Sequence, residues 1–473
     1  MPLKKDLTLF DLTNIVIGSI VGADIYVASA LTAGLIGPFA IVIWIIAGAM
    51  AACLALVFAY CSYYVPHVGG PFAFVSEAFD DFFGFLTGWS LWIAEMLALP
   101  VFAIAFVQYL QFLIPLGIGE QILVKGVFLF ALTVVNIRGV KAAGRINDVL
   151  TLIKLSPLFL LVIAGFIFSF RESGALVGNY TPLIPVGLSN FGPALVLIFW
   201  AYVGFELGTL PAAEVKNPQI TIPRAIILGM SVVTLFYLST NFVVYGVINW
   251  KILANSTTPL VLVGGLLLGT IGAIMMSIGA LVSVSGSDES GILGTARLSY
   301  AMAVDGLFPR VFTKIHSRYS TPWAALAIQG ALAFILSLFS GIRELISFSV
   351  FNMAFAFLLT CLSLLVLRRE SEKGLPGQHL LPLIGSLICL YLLFSTSTFD
   401  KIAGTILILV GIPIYVFFSP KVEMSTMKKF FFSEEAIFAR RLQREERFLA
   451  NFIQLVYRAY RKIYNRRLKQ VNS

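Results

Sequence analysis

A chain of 473 residues that is 59% hydrophobic and only 12% charged falls well short of the roughly one-quarter charged content of soluble domains. With a mean hydropathy of +0.92, an ordinary water-soluble fold is excluded and the chain reads as an all-α polytopic membrane protein. The net charge of +9 would suit nucleic acid in a soluble protein, but the basic residues cluster in loops and in the tail, so membrane topology accounts for them and no nucleic-acid partner is expected.

Twelve apolar segments of spanning length follow one another: 9–36, 38–65, 82–114, 121–137, 148–170, 191–213, 225–250, 261–303, 321–341, 345–368, 380–398 and 401–419. The third and eighth exceed one span, which predicts tilt or interfacial extensions. Lys4 and Lys5 precede a run that continues as a span, so no cleavable signal peptide is read. Loop charge sets the orientation. Lys4, Lys5, Arg138, Lys141, Arg145, Lys216, Arg224, Arg310, Lys314, Arg318, Arg368, Arg369 and Lys373 share one side with the tail, which predicts cytoplasmic N- and C-termini.

The first segment contains Ile17-Gly18-Ser19-Ile20-Val21-Gly22-Ala23-Asp24-Ile25-Tyr26. Two glycines four apart weaken a helix, and a carboxylate at bilayer depth is a functional-site hypothesis. The stretch therefore reads as half of a substrate site, or else as a glycine-packed helix contact with Asp24 paired to a neighbour. Between the second and third segments, Gly69-Gly70-Pro71 predicts a tight turn at a membrane face. Glu95 is a further buried acid in the third segment. Lys154 lies too deep in the fifth to snorkel; it is either a functional ammonium or structural glue paired with Asp148 or Asp24.

The sixth segment carries Val203-Gly204-Phe205-Glu206-Leu207, which repeats the pattern of Val21-Gly22-Ala23-Asp24-Ile25. Glycine-interrupted segments in corresponding positions of two halves point to a transporter site. Phe199, Trp200, Tyr202 and Phe205 are either core or the walls of its cavity. In the eighth segment, Asp288 and Glu289 adjoin. Neighbours on a helix point about 100° apart, so one lines a site and the other pairs with a base such as Arg297. Acids outnumber bases within the membrane, which favours cations around a cavity.

Beyond Pro420, basic residues interleave with Phe448, Phe452, Leu455 and Ala459 at helical spacing. Residues 421–473 read as an amphipathic basic cytoplasmic tail on anionic lipid, or as a solvated tail. The four cysteines (Cys53, Cys61, Cys361, Cys389) read as small core residues without disulfide or metal spacing. The three histidines sit at loops, and there is no Ser/His/Asp set, metal cluster or phosphate loop. No enzyme, cofactor or metal is expected.

The most specific stretch is Ala213-Glu214-Val215-Lys216-Asn217-Pro218-Gln219-Ile220-Thr221-Ile222-Pro223-Arg224-Ala225-Ile226. A second is Ala296-Arg297-Leu298-Ser299-Tyr300-Ala301-Met302-Ala303-Val304-Asp305-Gly306, joined by Gly69-Gly70-Pro71 and Asn136-Ile137-Arg138-Gly139-Val140-Lys141. By these the chain resembles the amino acid–polyamine–organocation transporter superfamily over residues 5–420. The resemblance implies a leucine-transporter-like fold of twelve transmembrane helices with two inverted five-helix repeats, residues 1–190 and 191–370, and helices 1 and 6 broken. Helices 11 and 12 would occupy 371–420. It implies a plasma-membrane transporter that carries amino acids with protons. The alternatives are a polyamine or cationic amino acid transporter, an exchanger, and a non-transporting sensor or subunit. Its substrate site would comprise Gly22, Ala23, Asp24 and Ile25 for the carboxylate, and Phe199, Tyr202, Val203 and Gly204 for the amino group, with Asp288 near the side-chain pocket. Lys154 would couple transport to protons beside Gly18 and Ser283, and Glu206 would gate. The family usually has Gly-Ser-Gly or Gly-Ala-Ser where this chain has Gly22-Ala23-Asp24. Three explanations stand: a protonated Asp24, a pair with Lys154, or a substrate that presents a cation there.

Overall fold

A computed structural model describes residues 7–66, 69–139, 143–209, 215–368 and 377–419. The expected basic tail 421–473, Lys4, Lys5, Lys141, Arg369, Lys373, Ala213 and Glu214 lie outside these residues, as do the side chains of Arg145 and Asp148.

Helices account for every predicted apolar segment. The first segment is two helices, α1 (Leu9–Ile20) and α2 (Ala23–Ile36), and α3 (Ala40–Tyr64) follows. After α4 (Pro71–Ala78) come α5 (Asp81–Leu113), α6 (Ile118–Arg138), α7 (Ala143–Arg171) and the short α8 (Ser173–Asn179). The sixth segment gives α9 (Phe191–Ala201) and a 3-10 turn at Phe205–Thr209. Then come α10 (Pro218–Val247), α11 (Trp250–Ala254), α12 (Pro259–Val304), α13 (Trp323–Phe339), α14 (Ile342–Leu367), α15 (Leu381–Ser395) and α16 (Thr398–Phe418). Among the described residues, eight stretches are long and apolar enough to cross a membrane, and α9, α13 and α15 are shorter apolar helices.

The termini of these helices follow local chemistry. Thr8 and Asp11 form a reciprocal capping box that starts α1: the Asp11 carboxylate accepts from the Thr8 N–H at 2.8 Å. Gly69 (φ 133°) and Gly70 (φ 54°) both hold positive φ immediately before Pro71. The predicted turn is thus real, but it leads into α4, with Pro71 at the first helical position where its missing N–H costs nothing. The long eighth segment contains a kink. Gly269 leaves helical geometry within the 46 residues of α12 (φ 66°, ψ −159°).

Helix α5 is the central post. It packs on α12 and α14, while α3 packs on α10 and α12 on α7. The outer faces of α6, α10, α15 and α16 expose Phe130, Leu235, Leu387, Phe394 and Ile402. Large apolar side chains facing outward suit lipid rather than water. Cys61, Cys361 and Cys389 are buried core residues, as read from the sequence, whereas Cys53 is only partly buried.

Candidate functional site

The two helix breaks meet in the protein interior. Helix α1 ends at Ile20, Val21 is extended (φ −74°, ψ 100°), and Gly22 (φ −141°, ψ −137°) precedes α2. Opposite, Gly204 takes φ 123° between α9 and the following 3-10 turn. The Ser19 hydroxyl lies 3.1 Å from the Gly204 carbonyl oxygen and ties one break to the other. The approach is close enough that only glycine fits: a Cβ on Gly204 would stand 2.9 Å from the Ser19 carbonyl carbon.

An interrupted helix must have its freed peptide groups satisfied, and here side chains of α7, α10 and α12 do so. The Lys154 ammonium donates to the Gly18 carbonyl at 2.5 Å. The Ser287 hydroxyl donates to the Val21 carbonyl at 2.8 Å, with the Gly18 carbonyl at 3.3 Å. The Tyr237 hydroxyl reaches both the Ile20 carbonyl, at 3.2 Å, and the Asp24 carboxylate.

The repeated Val-Gly-x-acid pattern has one structural meaning at both breaks. Asp24 accepts from the Gly22 N–H at 2.7 Å, and Glu206 accepts from the Gly204 N–H at 3.0 Å. In each case the acid two residues on folds back over the amide of the break glycine. An anion there complements the positive end of the half-helix or turn that follows.

Between the breaks lies a cavity of about 50 Å³, lined by Ser19, Ile20, Asp24, Glu95, Ala98, Phe102, Trp200, Val203, Gly204, Glu206, Ser287, Gly291 and Met353. One water needs about 10–15 Å³ by this measure, so the cavity has room for a few waters and is too small for an amino acid as it stands. A second void of about 10 Å³, the size of one water, adjoins Glu95 and Glu206 and extends along Pro71, Leu91, Gly294, Thr295 and Leu298.

Of the residues singled out from the sequence, Asp24, Glu95, Trp200, Val203, Gly204 and Glu206 line this cavity. Gly22 is at the break, and Ala23 and Ile25 are buried behind it in the first turn of α2. Phe199 and Tyr202 are also fully buried. The Tyr202 hydroxyl turns away to the Trp44 carbonyl at 3.1 Å, and Tyr202, Trp44 and Tyr237 form an aromatic cluster behind the break. Lys154 meets Gly18 as expected, but its hydroxyl neighbour is Ser287, at 3.4 Å. Ser283, one turn earlier, instead faces the Val21 carbonyl at 3.4 Å. Asp288 does not line the cavity. Ser287 faces the break, so its neighbour points about 100° away. Both Asp288 carboxylate oxygens are buried without a hydrogen-bond partner among the described residues. Glu289 lies within electrostatic reach of Arg297 and Lys154.

The sequence reading named Glu95 as a buried acid without placing it in the substrate site, and it did not single out Ala98, Phe102, Ser287, Gly291 or Met353. Glu95, Ala98 and Phe102 are spaced i, i+3, i+7, and Ser287 and Gly291 are i, i+4, so single faces of α5 and α12 supply them. That periodicity was the available signal.

The amino acid permease family profile matches residues 7–438. The chain is 27% identical over 446 residues to the branched-chain amino acid permease of Bacillus subtilis, covering 89% of this chain and 94% of that protein. It is 26% identical over 430 residues to the serine/threonine exchanger of the same bacterium, covering 87% of this chain and 96% of the exchanger. The human cystine/glutamate transporter is 27% identical over 440 residues, covering 88% of this chain and 85% of that transporter.

Proposed function

The chain belongs to the amino acid permease family, and from that premise we propose that it is a secondary active amino acid transporter driven by an inward proton gradient, with the two helix breaks as its substrate site. It acts in the plasma membrane through twelve spans, arranged as two inverted five-helix repeats over 1–190 and 191–370, with 371–420 as the last two spans. Both termini face the cytoplasm, and the basic tail rests on anionic lipid. The observation that carries the proton coupling is the Lys154 ammonium on the freed Gly18 carbonyl. A fixed cation there ties the shape of the break to the charge on one side chain, because a neutral amine holds that carbonyl more weakly. Half-helix N-termini suit a substrate carboxylate and unwound carbonyls suit its ammonium. Asp24, which accepts from Gly22 in the closed state, then releases that amide when a substrate carboxylate arrives.

Exchange is the second reading, favoured by the likeness to a serine/threonine exchanger. One experiment separates the two. Purified protein in liposomes, supplied with labelled branched-chain or hydroxyl amino acids, is expected to accumulate label when the outside is made acidic, and to stop when a protonophore collapses the gradient. Accumulation that ignores the gradient but needs unlabelled amino acid inside would overturn symport in favour of exchange.

A further inference from the structure

Three carboxylates line the central cavity, Asp24, Glu95 and Glu206, and among the described residues no Lys, Arg or His lines it or the adjoining void. Their circumstances differ. Both Asp24 oxygens are engaged, by the Gly22 N–H and the Tyr237 hydroxyl, and Lys154 is within electrostatic reach. Glu206, 2% exposed, has one oxygen on the Gly204 N–H and the other, Oε1, without a hydrogen-bond partner among the described residues. Glu95 also lines both voids and is close enough to Glu206 for the two charges to repel. A carboxylate pair at membrane depth without a cation is costly.

We infer that Glu95 and Glu206 form a second cation subsite, which takes the side-chain ammonium of a basic amino acid. An ammonium has three donors, enough to meet Glu206 Oε1 and Glu95 together. The approach to the pair suits the ligand's stem: Ala98, Phe102, Trp200 and Met353 offer apolar walls that a methylene chain covers while its charged end reaches the acids. The inference rests on the transport reading above and narrows its substrate class.

L-Lysine and L-norleucine test it, since they share a carbon chain and differ by the terminal ammonium. With full-length protein in liposomes, half-saturation of labelled lysine uptake is expected at a concentration about tenfold or more below that of norleucine, the scale of one charged hydrogen-bond pair. In Glu95→Gln the lysine-to-norleucine preference is expected to collapse toward unity. Norleucine uptake without any lysine preference in the unmodified protein would overturn the subsite and leave the transport reading standing. Absence of lysine preference together with loss of pH dependence in Glu95→Gln would make the pair a proton site instead. No uptake of either compound, or of the neutral amino acids above, would sink both readings.

Discussion

Replacing Lys154 by alanine is expected to cut gradient-driven uptake by about tenfold or more, and to leave whatever uptake survives indifferent to external pH. Lys154 is 2% exposed and donates to the Gly18 carbonyl at 2.5 Å, closer than the Ser287 hydroxyl comes to the same break. Its removal leaves that carbonyl with the Ser287 hydroxyl at 3.3 Å, which is better placed on Val21 at 2.8 Å. A buried group left unpaired costs about 1–3 kcal/mol, and about 1.4 kcal/mol is tenfold in an equilibrium. It also strips Asp24 of a cation within its electrostatic reach. Arginine should not rescue, because a planar guanidinium does not substitute for a compact ammonium on a single carbonyl. Uptake by the alanine variant that follows external pH as the unmodified protein does would remove Lys154 from the coupling mechanism.

The second large effect is expected at Gly204. Its φ of 123° is a conformation that side chains rarely adopt, and an added Cβ would stand 2.9 Å from the Ser19 carbonyl carbon and oxygen and 3.1 Å from the Ile20 nitrogen. These neighbours are backbone atoms of the other break and cannot rotate aside. Strain at such a position costs on the order of 1–3 kcal/mol before any clash is counted. Gly204→Ala should therefore push the two breaks apart, lower the thermal midpoint and abolish uptake. Gly286→Ala is the internal control, because a Cβ there meets nothing within 4 Å in the middle of α12. It should be neutral or slightly stabilising, by the gain of about 1 kcal/mol that alanine has over glycine in a helix. Equal effects of the two substitutions would show that glycine content, and not the meeting of the breaks, governs function.

Much of this was legible in the chain itself. Most segment limits fell within about five residues of the helices, because a long apolar run is what a bilayer-spanning helix requires; the start of α10 at Pro218 and the end of α9 at Ala201 were missed by more. Both breaks announced themselves through a glycine followed two residues on by an acid, and the hydrogen bonds Gly22–Asp24 and Gly204–Glu206 explain why that pattern recurs. Local chemistry encodes such features. What pairs across distant helices was not readable. Nothing local says that Glu95 on α5 faces Glu206. Nor does it say that Ser287 rather than Ser283, one turn away on the same face of α12, meets Lys154. The exclusion of Asp288 from the cavity follows from that same helical phase, which a single-residue reading cannot fix. The kink at Gly269 was hidden because several glycines crowd that part of α12 and only one leaves the helix.

Transport through this site requires a solute to be held between the two opened helices. A ligand-bound density map of the full-length protein with a transported amino acid tests this most directly. It should show the solute against the Val21–Ala23 and Val203–Gly204 peptide groups, with Asp24 moved off the Gly22 amide. Solute density confined elsewhere, for instance in the groove beside Arg343, Glu344 and Asp400, with Asp24 still on Gly22, would contradict it.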